Sequence, residues 1–158
     1  MHSTIFLTAR VCLGLMFMLV FAPRAAAEEA EHGAHHHKNH VGVFGGLTHE
    51  RRDNGFALGL DYGRKISDSF SIGVFAERTW GDFDFDVYGI LFAYHVDRWS
   101  WIIGPGIEDS QFGNERLWRL GFGYDFDIGK ATLTPNFYID NVDGEQVYVL
   151  GVALGHGF

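Results

Sequence analysis

Beyond its first 27 residues this chain has no cysteine, no apolar run long enough for a membrane-spanning helix, and no excess of basic charge. Each absence excludes something. Without cysteine, a protein of this kind relies on backbone pairing and packing and not on disulfides. Without an apolar run of roughly 20 residues, it has no helix that crosses a bilayer. Residues 28–158 carry ten basic and twenty acidic side chains, a net charge of −10 with neutral histidines. A chain this acidic, with no basic stripe, does not suit nucleic-acid binding. It also holds no glycine-rich phosphate loop and no zinc-protease motif.

What is present begins with the amino terminus. Arg10 precedes an apolar stretch from Val11 to Ala22, and Ala25-Ala26-Ala27 supplies a small-x-small cleavage pattern. Residues 1–27 are therefore expected to be a cleaved signal peptide. Cys12 lies early in the apolar stretch, which is not the setting of a lipoprotein cysteine. Residues 28–40 are a polar leader containing His32, His35, His36, His37 and His40. Having almost nothing to bury, the leader is expected to be disordered on the periplasmic side.

From residue 41 to Phe158 the pattern changes to short segments of alternating character. Eight can be counted, at about 40–50, 56–65, 69–79, 85–96, 99–109, 116–127, 131–141 and 146–158. Trp118, Leu120, Phe122, Tyr124 and Phe126 share one phase of the sixth, and Arg119, Gly121, Gly123, Asp125 and Asp127 the other. Such period-two alternation predicts strands with one apolar face. Asn54-Gly55 reads as a hairpin turn because both residues tolerate positive φ. Pro135, inside the seventh segment, predicts a bulge or a strained ladder position. In the first segment Val41, Val43 and Leu47 suggest one outward phase and Phe44 the opposite.

An even number of strands, export and abundant aromatic residues predict an all-β, eight-stranded antiparallel up-and-down transmembrane β-barrel. With both termini in the periplasm, connections at 51–55, 80–84, 110–115 and 141–145 lie outside. The connections at 66–68, 97–98 and 128–130 form a shorter periplasmic set. Tyr62, Tyr94, Trp99, Trp101, Tyr124 and Phe158 would mark the periplasmic rim; Phe56, Trp80, Phe85, Tyr88 and Trp118 would mark the outer one. A soluble barrel around an apolar ligand would strand the charges of the second face.

On these features the chain resembles the small eight-stranded outer-membrane barrels, the group of outer-membrane protein A and its single-barrel relatives. The resemblance implies location in the outer membrane of a Gram-negative bacterium, among lipid and lipopolysaccharide. It also implies that Phe158 is the assembly signal read by the barrel-assembly machinery, although His156 stands where an apolar residue is more usual. A monomer with no nucleic-acid partner is expected.

Eight strands leave a lumen filled by side chains. The charged lumen candidates are Asp61, Glu77, His95, Glu108, Arg119, Asp125 and Asp140. Glu77, Glu108, Arg119 and Asp140 fall in the outer half and are expected to form a charge network, structural or gating. No catalytic residue is assigned. The resemblance does admit lipid A-modifying enzymes of the deacylase kind, for which Ser110 with His49 and Glu50 is the candidate on paper. No cofactor is expected, beyond weak zinc, copper or nickel binding by the leader histidines.

Overall fold

The computed structural model describes residues 38–158. Its strands, in chain order, are β1 (Asn39–Glu50), β2 (Asp53–Lys65), β3 (Phe70–Gly81), β4 (Phe85–Val96), β5 (Trp99–Ser110), β6 (Gly113–Tyr124), β7 (Phe126–Ile128), β8 (Ala131–Val142) and β9 (Glu145–Gly157). Each pairs antiparallel with its chain neighbours, except that β6 and β7 do not pair with each other and both pair with β8. Pairing of β1 with β9 closes the ring.

β6 and β7 are one barrel strand in two pieces. The register of β6 with β8 ends at Gly123↔Asn136 and resumes unchanged at Phe126↔Leu133. Pro135 sits in the gap. It has no N–H to donate, so the ladder lapses without a bulge. The expected bulge is thus corrected to an interruption in constant register. Pro105 has the same effect between β4 and β5, where pairing skips from Gly89↔Gly106 to Phe92↔Ile103. The eight barrel strands run 12 residues or more, beyond the roughly 9–11 that a tilted strand needs to cross a bilayer.

The alternation divides the chain cleanly. Val41, Val43 and Leu47 of β1 point outward and are exposed, while Phe44 is buried in the lumen at 4 % exposure. Phe85, expected in the outer aromatic rim, also faces inward, stacked on Phe83 with centroids 5.3 Å apart. Its parity explains this: Tyr88, Ile90 and Phe92 occupy the outward phase of β4.

The outer connections are shorter than expected. Arg51-Arg52, residues 82–84, Gln111-Phe112 and Asp143-Gly144 are all that separate the outer strand ends. Asn54-Gly55 is not a turn, for both residues lie in β2 opposite His49 and Thr48. Arg51 takes the positive φ instead, at 52°. Asp143 and Gly144 both have positive φ, as a two-residue turn matched to strand twist requires. At the other end, residues 66–69 form the longest link. The periplasmic set is therefore not the shorter one. Polar residues such as Asp53 and Asn114 simply continue the ladder, because backbone pairing is indifferent to their side chains.

Candidate functional site

The lumen is the place where this fold gathers chemistry, and Arg119 is its centre. Arg119 lies on β6 directly beside Asp140 of β8. It donates from Nε to Asp140 Oδ1 at 2.8 Å and from Nη2 to Asp140 Oδ2 at 2.7 Å. The same guanidinium donates from Nη2 to Glu77 Oε2 at 3.0 Å and from Nη1 to Glu77 Oε1. Glu77 belongs to β3, which lies across the ring from β8. The arginine is therefore a strut joining opposite walls. Its planar fork suits this, since it can present parallel N–H pairs to two carboxylates at once.

Two rings complete the cage. The guanidinium carbon lies 4.3 Å from the ring centroid of Phe75 and 4.6 Å from that of Tyr138. All three groups are buried, with Arg119 at 1 % exposure. One positive and two negative groups in close contact leave a formal excess of one negative charge.

Glu108 is not among the partners of Arg119. It stands on β5 opposite Glu115, whereas Gly104, four residues earlier, is the one level with Arg119. Toward the mouth beside the 51–52 and 143–144 turns the lumen is filled by Phe85, Leu117 and Val142, with Thr48 and Thr79 buried among them. Glu108 thus belongs to the mouth and not to the network. Strand parity could predict which face each charge takes, but not which levels meet across the barrel.

The half of the lumen beside the 66–69 and 97–98 connections is polar. His40 is part of β1 and not of the leader; its Nδ1 lies 3.2 Å from Asp61 Oδ2. His32, His35, His36 and His37, like the signal segment, lie outside the described residues. The described residues contain no group of three or more potential metal ligands. Asp125 accepts from the Thr134 hydroxyl at 2.7 Å. Ser71 Oγ and His95 Nε2 are 2.9 Å apart, a pairing that residue spacing did not suggest. No carboxylate among the described residues forms an ion pair with His95, so this pair lacks the orienting acid of a hydrolytic triad.

Ser110, His49 and Glu50 are not brought together. His49 points outward and bonds Asn54 Oδ1 at 3.0 Å. Glu50, its successor in the strand, faces the other side. Ser110 Oγ accepts from the Phe112 N–H at 3.3 Å and so caps a turn. Phe158 closes the β1–β9 seam: its N–H donates to Asn39 at 2.9 Å, and its carbonyl accepts from the Asn39 N–H at 3.1 Å. Its ring faces outward and is exposed. His156 also faces out, its Nδ1 2.9 Å from the Lys130 carbonyl oxygen.

No family model matches the chain, and no curated protein matches its sequence. Solved structures do resemble it. The crystal structure of Neisserial surface protein A aligns over 76 % of this chain and 96 % of its own, at a TM-score of 0.50 and 11 % identity. A barrel from the de novo design of transmembrane β-barrels aligns over 73 % and 94 %, at 0.53 and 14 %. The Yersinia pestis outer membrane protein Ail, in a phospholipid nanodisc, follows at 0.48 and 11 %, over 76 % and 99 %. The likeness to the first two agrees with the strand pairing: the chain folds as a small, closed, eight-stranded antiparallel up-and-down barrel.

Proposed function

We propose that this chain resides in the cell outer membrane of a Gram-negative bacterium, exported with a cleaved signal peptide, and serves there as a closed barrel with a structural or interaction role and no catalytic one. The observation that carries this reading is the Arg119 strut. A lumen crossed by Arg119, Glu77 and Asp140, with buried side chains packed around them, supports a barrel that does not conduct. Its surroundings are lipid and lipopolysaccharide, it acts as a monomer, and the barrel-assembly machinery inserts it. The short outer turns favour a partner at the rim over a large protruding adhesive surface.

Two experiments test this. In planar bilayers the purified barrel should show no steady conductance steps; reproducible steps would refute the closed lumen. In cells the chain should run in the membrane fraction as a heat-modifiable band. Deleting Phe158 should remove most of that band, because the seam loses its last backbone pair and the assembly signal together. A deletion variant that reaches wild-type membrane levels would count against the assembly role.

A further inference from the structure

The outward face is not uniform. Around β4–β6 it sinks into a concavity of ≈ 460 Å³, lined by Phe92, Tyr94, Trp101, Leu120, Phe122 and Phe137 among others. Register places these as one patch: Tyr94↔Trp101↔Phe122↔Phe137 run side by side across four strands.

The foot of this groove is charged, and its charges are of both signs. The turn Asp97-Arg98 joins β4 to β5 directly beneath Tyr94 and Trp101. The Arg98 carbonyl accepts from the Asp125 N–H at 2.8 Å, which fixes the turn against the next strand. The Arg98 guanidinium lies 3.6 Å from Asp127, and these side chains are 50 % and 72 % exposed. Trp99 and Tyr124 pack edge-to-face at 5.0 Å on the level between charge and groove. Amphipathic rings of this kind settle at headgroup depth.

We propose that this groove binds one phospholipid of the periplasmic leaflet, with an amine-bearing zwitterionic headgroup. An acyl chain lies along the aromatic trough. The headgroup phosphate meets Arg98, and its ammonium meets Asp127 and Asp97. The mixed charge at the foot is the reason for this choice: a purely anionic headgroup would satisfy Arg98 and face the two carboxylates unpaired. The chain is among apolar neighbours in the bilayer as well, so the trough holds it by shape and van der Waals contact with the rings, and the headgroup contacts supply the selectivity.

The inference rests on the membrane reading, and the two can fail separately. A chain absent from the membrane fraction would overturn that reading. An inserted, heat-modifiable barrel that retains no lipid would overturn this inference alone. The test is native mass spectrometry of the folded full chain in detergent, titrated with phosphatidylethanolamine, phosphatidylglycerol or lipopolysaccharide. Phosphatidylethanolamine should be retained above phosphatidylglycerol. Arg98→Gln should weaken retention of either phospholipid about fivefold, the scale of one charge near a headgroup. Asp127→Asn should reduce the preference between them. Leu120→Trp, which fills the trough from an outward position, should abolish retention while leaving the gel shift intact. Equal retention of the two phospholipids by the wild type, preferential retention of lipopolysaccharide, or full retention by Leu120→Trp would each overturn it.

Discussion

Arg119→Leu should destabilise the barrel by about 3–5 kcal/mol, the range found when one partner of a buried ion pair is removed. Denaturant unfolding in micelles, followed by tryptophan fluorescence, measures it. The size follows from what remains: Glu77 and Asp140 would sit in the lumen, facing each other across the barrel, with no cation between them. The sign of the companion experiment is more telling. The cluster carries one positive and two negative groups, so Asp140→Asn removes the excess charge while keeping an acceptor for the guanidinium. Its cost should be well below that of Arg119→Leu. Equal losses for the two variants would mean that the two-bond contact of Arg119 with an ionised Asp140, and not the charge balance of the cluster, dominates the site.

The second large effect concerns Phe44. Its ring is buried and packs against Tyr138 at a centroid distance of 5.9 Å. Phe44→Ala should cost about 3–5 kcal/mol through lost burial and the void it leaves. The glycines opposite have no room for the reverse change. A Cβ on Gly151 would come 2.5 Å from Phe44 Cε2 and 2.5 Å from the Gly45 carbonyl oxygen. Gly151→Val should therefore cost about 1–3 kcal/mol or more by overpacking. Combining it with Phe44→Ala should recover only part of the loss, since the smaller side chain removes one clash and leaves the backbone one. The same unfolding assay reads the non-additivity. A fully additive pair would show that the ring and Gly151 do not share space.

Much of this was legible from residue order. Trp118, Leu120 and Phe122 against Arg119, Gly121 and Gly123 already assigned the two faces of β6, because side chains in a strand alternate whatever their neighbours are. The parity of Phe75 and Tyr138 likewise placed them inside, although their role as plates around a guanidinium needs three strands to be brought together. Turns were less legible. Asn54-Gly55 has the chemistry of a hairpin turn yet lies in the ladder, while Arg51, an unlikely-looking residue for positive φ, makes the bend. Pairing along β1 and β2 continues up to Glu50↔Asp53, and that long ladder outweighs a local preference worth about a kilocalorie per mole.

By itself, then, the order of residues determined the strand count, the inward and outward faces, and the carboxylates and arginine that line the lumen. These are local consequences of a two-residue period and of what each side chain tolerates. The tertiary structure decided which of those charges meet. Glu77 reaches Arg119 from the far side of the ring and Glu108 does not, because the stagger of neighbouring strands sets the height of each residue. That stagger is fixed only when β1 pairs with β9 and the barrel closes. The trough across β4–β6 and the charged turn at its foot arise in the same way, from side chains distant in sequence that closure sets side by side.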